Sequence, residues 1–329
     1  HPAHSDDFYF MSILKIMPKE ILLIDTFHET FIPKLTTLGF NCTEGYEWSL
    51  EQLQQTIGNY EGIAIRSRIP LNKDLLQHAT NLKFIARGGA GMENIDVAYA
   101  VSKNIKCLNA PEANCDAVGE HALMMLLALL NKLLKSDKEV RNGIWLREEN
   151  RGTELQGKTV GIIGFGNMGS SFAKKLTGFE VNILACDPYK TIDAAEYPFI
   201  KQVSVEQLQE QSDIISLHVP LTAETKYMIN DKFISQCKKE IYIINTARGK
   251  CLNTADLVKH LKTGKVKGAC LDVHEYETSS FERLETLPEP FEYLIQSDKT
   301  ILTPHIAGWT HESNRKIAEV LAKKIGQLF

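Results

Sequence analysis

The sequence predicts an α/β protein of two parallel-sheet units, the second inserted into the first. Three observations carry this. Short apolar runs alternate with helix-spaced segments over about the first 100 residues. A glycine-rich strand–turn–helix–strand occupies residues 160–187, in the middle of the chain. Further strand-like runs follow it, and a last helix lies beyond the final strand.

In chain order, residues 21–25 read as a buried strand, followed by helical spacing through Phe31, Leu35 and Leu38 and a stop at Gly39. Residues 61–66 form a second strand, which enters the loop Arg66-Ser67-Arg68-Ile69-Pro70. A third, 82–86, ends at Arg87-Gly88-Gly89-Ala90-Gly91, and a fourth, 107–109, ends at Pro111. One long apolar helix, about 118–134, then leads into the glycine-rich unit. After Asp187 come strands at 214–218, 241–245, 268–272 and 300–302, and a helix at 312–328. The expected organisation is one domain from residues 17–112 and 306–329, with residues 113–305 inserted, crossings near Pro111 and Pro304, and a cleft between the two. Residues 1–16 are expected to be disordered and outside the fold. They lack the apolar stretch of a secretory signal, and Met11 or Met17 reads as the natural start.

The glycines of the central unit fall at Gly164, Gly166 and Gly169, spaced G-x-G-x-x-G. Gly164 permits the tight turn, Gly166 lets backbone approach a pyrophosphate, and Gly169 lets the helix pack close to the strand. The amides opening that helix face the phosphates, where the helix dipole favours negative charge. Alone the glycine pattern is weak evidence; both strands, the helix and the terminal Asp187 make it a dinucleotide-binding Rossmann unit. A carboxylate at Asp187 can accept from ribose hydroxyls and repels a 2′-phosphate, so NAD is favoured over NADP. Lys190, nearby, reads as a solvated surface charge.

Composition removes several function classes. With 37 Lys and Arg against 41 Asp and Glu, the net charge of −4 provides no basic footprint for nucleic acid. The longest uncharged apolar run, residues 122–130, is shorter than the roughly 20 residues a bilayer requires, so no membrane association is expected. Seven cysteines, odd in number and without a C-x-x-C pair, argue for free thiols in a reducing, cytoplasmic setting and for no metal site.

Three side chains stand at or just beyond strand ends of the inserted unit: Arg248, Glu277 and His305. Ligands of open α/β sheets bind outside the carboxyl ends of the strands. Singly, an arginine in a loop is usually a surface charge, and Pro-His after a strand is often only a turn. Together they suit the oxidation of a 2-hydroxy acid. Arg248 offers a planar fork to a carboxylate. His305 can move the hydroxyl proton, and Glu277 would fix its tautomer and stabilise the imidazolium. NAD is then the hydride acceptor.

At these residues the chain resembles the D-isomer-specific 2-hydroxyacid dehydrogenase family. The matching stretches are 65–68, 87–97, 109–121, 160–169, 216–225, 245–249, 271–277 and 302–308. The resemblance implies two flavodoxin- or Rossmann-like domains, a catalytic domain completed by the C-terminal helix, an inserted NAD domain, and a homodimer. It implies that Arg248 binds substrate, that His305 is the acid/base, and that Glu277 is its partner. Cofactor contacts carry over to Gly164, Gly166, Asn167, Met168, Gly169, Asp187, His218, Thr246, Asp272, Ala307 and Gly308. Substrate contacts carry over to Arg66, Ser67 and Arg68, and to the backbone of Gly89, Ala90 and Gly91. The Arg66-Ser67-Arg68 loop resembles that of the short D-3-phosphoglycerate dehydrogenases without a C-terminal regulatory domain, which implies serine biosynthesis. A glyoxylate or hydroxypyruvate reductase is the alternative, and an NAD-sensing interaction protein a distant one. The chain departs from the family's pattern at Trp309, where a small residue is commoner, at Thr278 and Glu112, and in a longer 277–305 segment.

Overall fold

The computed structural model describes residues 19–277 and 287–329. The first sheet contains β1 (Lys19–Leu23), β2 (Phe40–Glu44), β3 (Gly62–Ile65), β4 (Phe84–Arg87) and β5 (Lys106–Leu108), in the order β2-β1-β3-β4-β5. The second contains β6 (Thr159–Ile163), β7 (Asn182–Cys186), β8 (Ile200–Gln202), β9 (Ile214–Leu217), β10 (Ile241–Asn245), β11 (Val266–Leu271) and β12 (Thr300–Leu302). Its order is β12-β11-β10-β9-β6-β7-β8. The strand pairs are parallel in both sheets. Helices cover both faces, which is why β3 and β9 are buried at every residue and read as continuous apolar runs.

The two orders are the flavodoxin-like and Rossmann-like forms expected from the sequence. Strand order reverses between β1 and β3 in one sheet and between β6 and β9 in the other, and such switch points open crevices at the carboxyl ends. Two strands gave no apolar signal in the sequence, β2 and β8. Both are edge strands: β2 buries only Phe40 and β8 buries nothing.

The long helix runs Pro111–Leu130, starting earlier than its apolar stripe, because a proline at the first helical position is pre-set for the turn. It stops at Asn131; Lys132 then takes a left-handed φ of 49° and opens a second helix, Leu133–Arg141. The whole helix, unlike the run 122–130 alone, is long and apolar enough to cross a membrane, but here Ala122, Met125 and Leu126 are fully buried in the core of the second sheet. It lies close against helix Asn167–Leu176: a Cβ on Gly119 would stand 2.9 Å from Ser171 Oγ.

The last helix, His311–Gly326, opens with a capping box of Thr310 and Ser313. It buries Ile317, Leu321 and Ile325 in one cluster with Ile21, Leu23 and Phe84, so the chain end returns to the first sheet. Glu112 joins this return: its Oε1 lies 2.7 Å from Lys324 Nζ, which also donates to the Asn109 carbonyl at 2.7 Å. Residues 1–16 and Thr278 lie outside the described residues, as does part of the 277–305 segment.

Candidate active site

The carboxyl ends of both sheets line one cavity of about 1130 Å³. Its dinucleotide wall begins at the glycine turn. Gly164 has φ +87°, and a Cβ there would lie 2.6 Å from the His218 carbonyl oxygen. A Cβ on Gly169 would lie 2.1 Å from the Gly164 carbonyl oxygen. Gly166 faces open space and caps helix Asn167–Leu176 without any side-chain hydrogen bond, while Asn167 and Met168 line the cavity. First-turn amides with no side-chain acceptor, reached over a glycine, are what a pyrophosphate needs.

Deeper in this wall, burial pushes His218 down to about 3, so its ring is neutral. Its Nε2 is 2.8 Å from Ser216 Oγ. Among the described residues its Nδ1, Thr246 Oγ1 and Asn114 Oδ1 are buried without hydrogen-bond partners, and all three residues line the cavity. Buried polar atoms are normally satisfied, so these orphans mark where a polar ligand would complete the wall. The residues therefore fit a dinucleotide.

Several residues expected at the cofactor also make contacts within the chain, and Asp272, Ala307 and Gly308 line the cavity. Asp187 Oδ2 accepts from the Phe165 N–H at 2.8 Å and Oδ1 from Tyr189 N–H at 3.0 Å; this fixes the carboxylate at the end of β7, outside the cavity lining. Lys190 is not simply solvated: its Nζ donates to the Phe165 carbonyl at 3.0 Å. Asp272 is fully buried and accepts from Thr303 Oγ1 (2.6 Å), Ile306 N–H (2.8 Å) and Ala307 N–H (2.9 Å). Asp272 and the Ala307 amide, both expected on the cofactor, thus hold each other. Gly308 is needed for space, since a Cβ there would stand 2.5 Å from Asn114 Nδ2.

The Asp272 clasp shapes the turn that presents His305. The His305 N–H donates to the Asp272 carbonyl at 2.7 Å, and its φ is +56°, a left-handed value costing a non-glycine residue on the order of 1–3 kcal/mol. His305 Nδ1 is 2.8 Å from Glu277 Oε2, while Glu277 Oε1 accepts the His274 N–H. A carboxylate on Nδ1 makes Nε2 the basic nitrogen of the neutral ring.

Arg248 follows β10 in a turn built by Asn245, whose Oδ1 accepts from Ala247 N–H (3.0 Å) and whose Nδ2 donates to the Arg248 carbonyl (3.0 Å). Its guanidinium reaches Glu93 on the opposite wall, Nε to Oε1 at 2.5 Å and Nη2 to Oε2 at 3.3 Å. Burial opposes ionisation of Glu93, but the hydrogen bond and charge of Arg248 prevail and hold its carboxyl below the usual range.

The glycines of the 88–91 loop make room for these guanidiniums. A Cβ on Gly89 would fall 1.6 Å from Arg87 Nη1, and one on Gly91 would fall 2.0 Å from Arg248 Nη2. The Gly89 amide donates to the Arg87 carbonyl at 2.9 Å, so it is turned away from the substrate role expected of it. Ala90 and Gly91 line the cavity with Gly89, Arg66 and Ser67. Arg68 does not. Its guanidinium donates to the carbonyls of Ile24 (3.0 Å), Trp48 (3.1 Å) and Gly45 (3.0 Å), which corrects its expected place on the substrate: three main-chain acceptors outcompete the cleft. Arg87 and Glu93 are the residues the sequence argument missed. Arg87 stood visibly at a strand end; nothing in the sequence singled out Glu93.

A Rossmann sheet with a dinucleotide cradle facing a histidine–carboxylate pair and an arginine defines a nicotinamide-dependent dehydrogenase. The D-isomer specific 2-hydroxyacid dehydrogenase, NAD binding domain, family matches residues 123–307. The chain belongs to the D-isomer-specific 2-hydroxyacid dehydrogenase family and is an NAD-dependent enzyme of that class. It is 36% identical over 275 residues to a hydroxypyruvate reductase of Thermotoga maritima, covering 84% of this chain and 87% of that one. It is 34% identical over 306 residues to a D-3-phosphoglycerate dehydrogenase of Archaeoglobus fulgidus, covering 93% of this chain but only 56% of that relative's length. A D-lactate dehydrogenase of Aquifex aeolicus, solved with NAD and lactic acid, superposes with a TM-score of 0.78 at 28% identity, covering 94% of this chain and 95% of that one.

Proposed function

We propose that the enzyme interconverts D-3-phosphoglycerate and 3-phosphohydroxypyruvate, the first step of serine synthesis. The observation that carries this reading is a cluster of three guanidiniums on the cleft, Arg66, Arg87 and Arg248, gathered around Glu93, while Asp25 lies 3.8 Å from Arg68. Burial and then the like charge of Arg248 push Arg87 down to about 10, and its Nε has no hydrogen-bond partner among the described residues. An anionic substrate relieves this repulsion.

In this reading Arg248 holds the 2-oxo carboxylate, beside or in place of Glu93. His305 Nε2 takes the hydroxyl proton in oxidation and returns it in reduction, while Glu277 keeps Nδ1 protonated and the ring oriented. The Gly164–Gly169 turn, Asn167, Met168, His218 and Thr246 hold NAD, which when bound supplies the hydride acceptor. Residues 17–112 with 306–329 are the substrate domain and 113–305 the NAD domain. The exposed Leu133, Leu134 and Trp145, on the segment after the long helix, suit burial by a second copy as a homodimer. Seven free cysteines suit a cytoplasmic setting.

A hydroxypyruvate or glyoxylate reductase is the second reading, favoured by the withdrawal of Arg68 from the cleft. NADH absorbance during turnover of 3-phosphohydroxypyruvate, hydroxypyruvate, glyoxylate, pyruvate and 2-oxoglutarate separates them. Preference for the phosphorylated acid supports the first reading; preference for hydroxypyruvate or glyoxylate replaces it with the second.

A further inference from the structure

We propose that Trp309 sets substrate specificity by holding the Arg66 guanidinium against its ring face as a receptor for a second anionic group on the substrate, a phosphate or a carboxylate. The inference rests on the reading that the substrate is a 2-oxo acid held by Arg248.

Arg66 Cζ stands 4.1 Å from the centroid of the Trp309 ring, and both residues line the cavity that contains Arg248 and His305. The contact joins two distant parts of the chain, the loop after β3 and the residue before the cap of the last helix. Trp309 is 67% exposed, so burial of its own apolar surface does not explain its position. Its backbone N–H donates to the Ile306 carbonyl at 2.9 Å, which ties the residue's main chain to the same turn that presents His305.

Arg66 is held unlike its neighbours. Arg68 spends its donors on main-chain carbonyls and Arg248 pairs with Glu93. The Arg66 guanidinium makes no hydrogen bond among the described residues, and Asp25 Oδ2 beside it accepts the Arg66 backbone N–H at 2.6 Å. Burial lowers its pKa from the ordinary value, partly offset by Asp25. A stacked indole supports a guanidinium through its face and leaves the N–H edges uncovered for bidentate recognition of an anion. Arg87, among whose perturbing charges is Arg66, adds a second cation to the same wall. The wall therefore presents fixed positive charge with an open donor edge, in the position a small residue at 309 would leave unsupported.

The test is steady-state NADH consumption by wild type, Trp309→Ala, Trp309→Phe and Arg66→Ala on two pairs of substrates. Two carry a second anionic group (3-phosphohydroxypyruvate, 2-oxoglutarate) and two do not (hydroxypyruvate, pyruvate). Wild type should favour one of the first pair. Trp309→Ala should shift the KM ratio between the favoured acid and its counterpart without the second anionic group by about tenfold, Arg66→Ala by more, and Trp309→Phe should recover most of the ratio because it keeps a ring face. A merely structural role would move KM and kcat together on both pairs, and that result overturns the inference. It is also overturned if wild type does not discriminate between the pairs, or if Arg66→Ala loses the ratio and Trp309→Ala keeps it. Preference for 2-oxoglutarate over the phosphorylated acid, lost in Trp309→Ala, would support the clamp while removing the phosphoglycerate reading.

Discussion

The two walls of the cleft are built on different principles. The β6–β12 wall is neutral or internally paired: an uncharged His218, an Asp272 committed to its own turn, and Glu277 bound to His305. The opposite wall, from the loops after β3 and β4, carries Arg66, Arg87 and Glu93 around glycines that leave space for them. A wall that cradles a large cofactor needs backbone amides and shape, whereas a wall that recognises a small acid needs charge. Arg248 crosses between them, from one wall's turn to the other's carboxylate.

That contrast can be broken most severely at the crossing point. Arg248→Ala should lower kcat/KM by about 10²-fold or more, because it removes the carboxylate fork and leaves the Glu93 carboxylate in the cleft without that partner. Arg248→Lys should not restore it, since an ammonium cannot replace the fork. Near-normal kinetics in either variant would contradict the assignment.

Two glycine substitutions separate shape from charge. Gly169→Ala places a Cβ 2.1 Å from a backbone carbonyl that cannot yield cheaply, so it should destabilise the fold by about 1–3 kcal/mol in urea titrations. Gly91→Ala instead meets the flexible ends of Arg248 and Glu93, so it should keep the wild-type urea midpoint and lower kcat/KM by about tenfold as the guanidinium is displaced. A reversal of the two phenotypes would show that the walls have been misread.

Arg68→Gln tests which arginines face substrate. It should cost about 1–3 kcal/mol of stability by orphaning three carbonyls, with substrate preference retained. Loss of preference without loss of stability would return Arg68 to the site.

The smallest effect concerns pH. His218 is depressed to about 3 from an ordinary 6.5, so below pH 6.5 the unfolded chain takes a proton that the native chain refuses. This group's contribution is therefore present above pH 6.5 and lost progressively as pH falls toward 3. His218→Asn should weaken the fall in urea midpoint between pH 7 and pH 5; an unaltered slope would mean His218 is protonated in the fold.

The same contrast explains what was legible in the sequence. β10 and β12 were placed to the residue, and Arg248, Glu277 and His305 could be singled out because parallel strands deliver their following residues to one edge. The internal use of Asp272 and the Ala307 amide was not legible, because it depends on a left-handed turn at His305, a conformation uncommon for any residue but glycine. Glu93 was invisible for another reason: its partner lies 155 positions away, and only the packing of one unit on the other brings them together. Arg66 and Arg68, two residues apart, look interchangeable in sequence. The carbonyls of Ile24, Gly45 and Trp48 decide which of them turns inward to the protein and which remains on the cleft.

The most direct measurement is NADH turnover by His305→Ala beside wild type on the best substrate of the panel, with folding checked by urea midpoint. The geometry of His305 and Glu277 predicts a rate lowered by about 10²–10⁴ in a protein that still folds and still binds NADH. Turnover at the wild-type rate would contradict the acid/base assignment and with it the reading of this cleft as the active site.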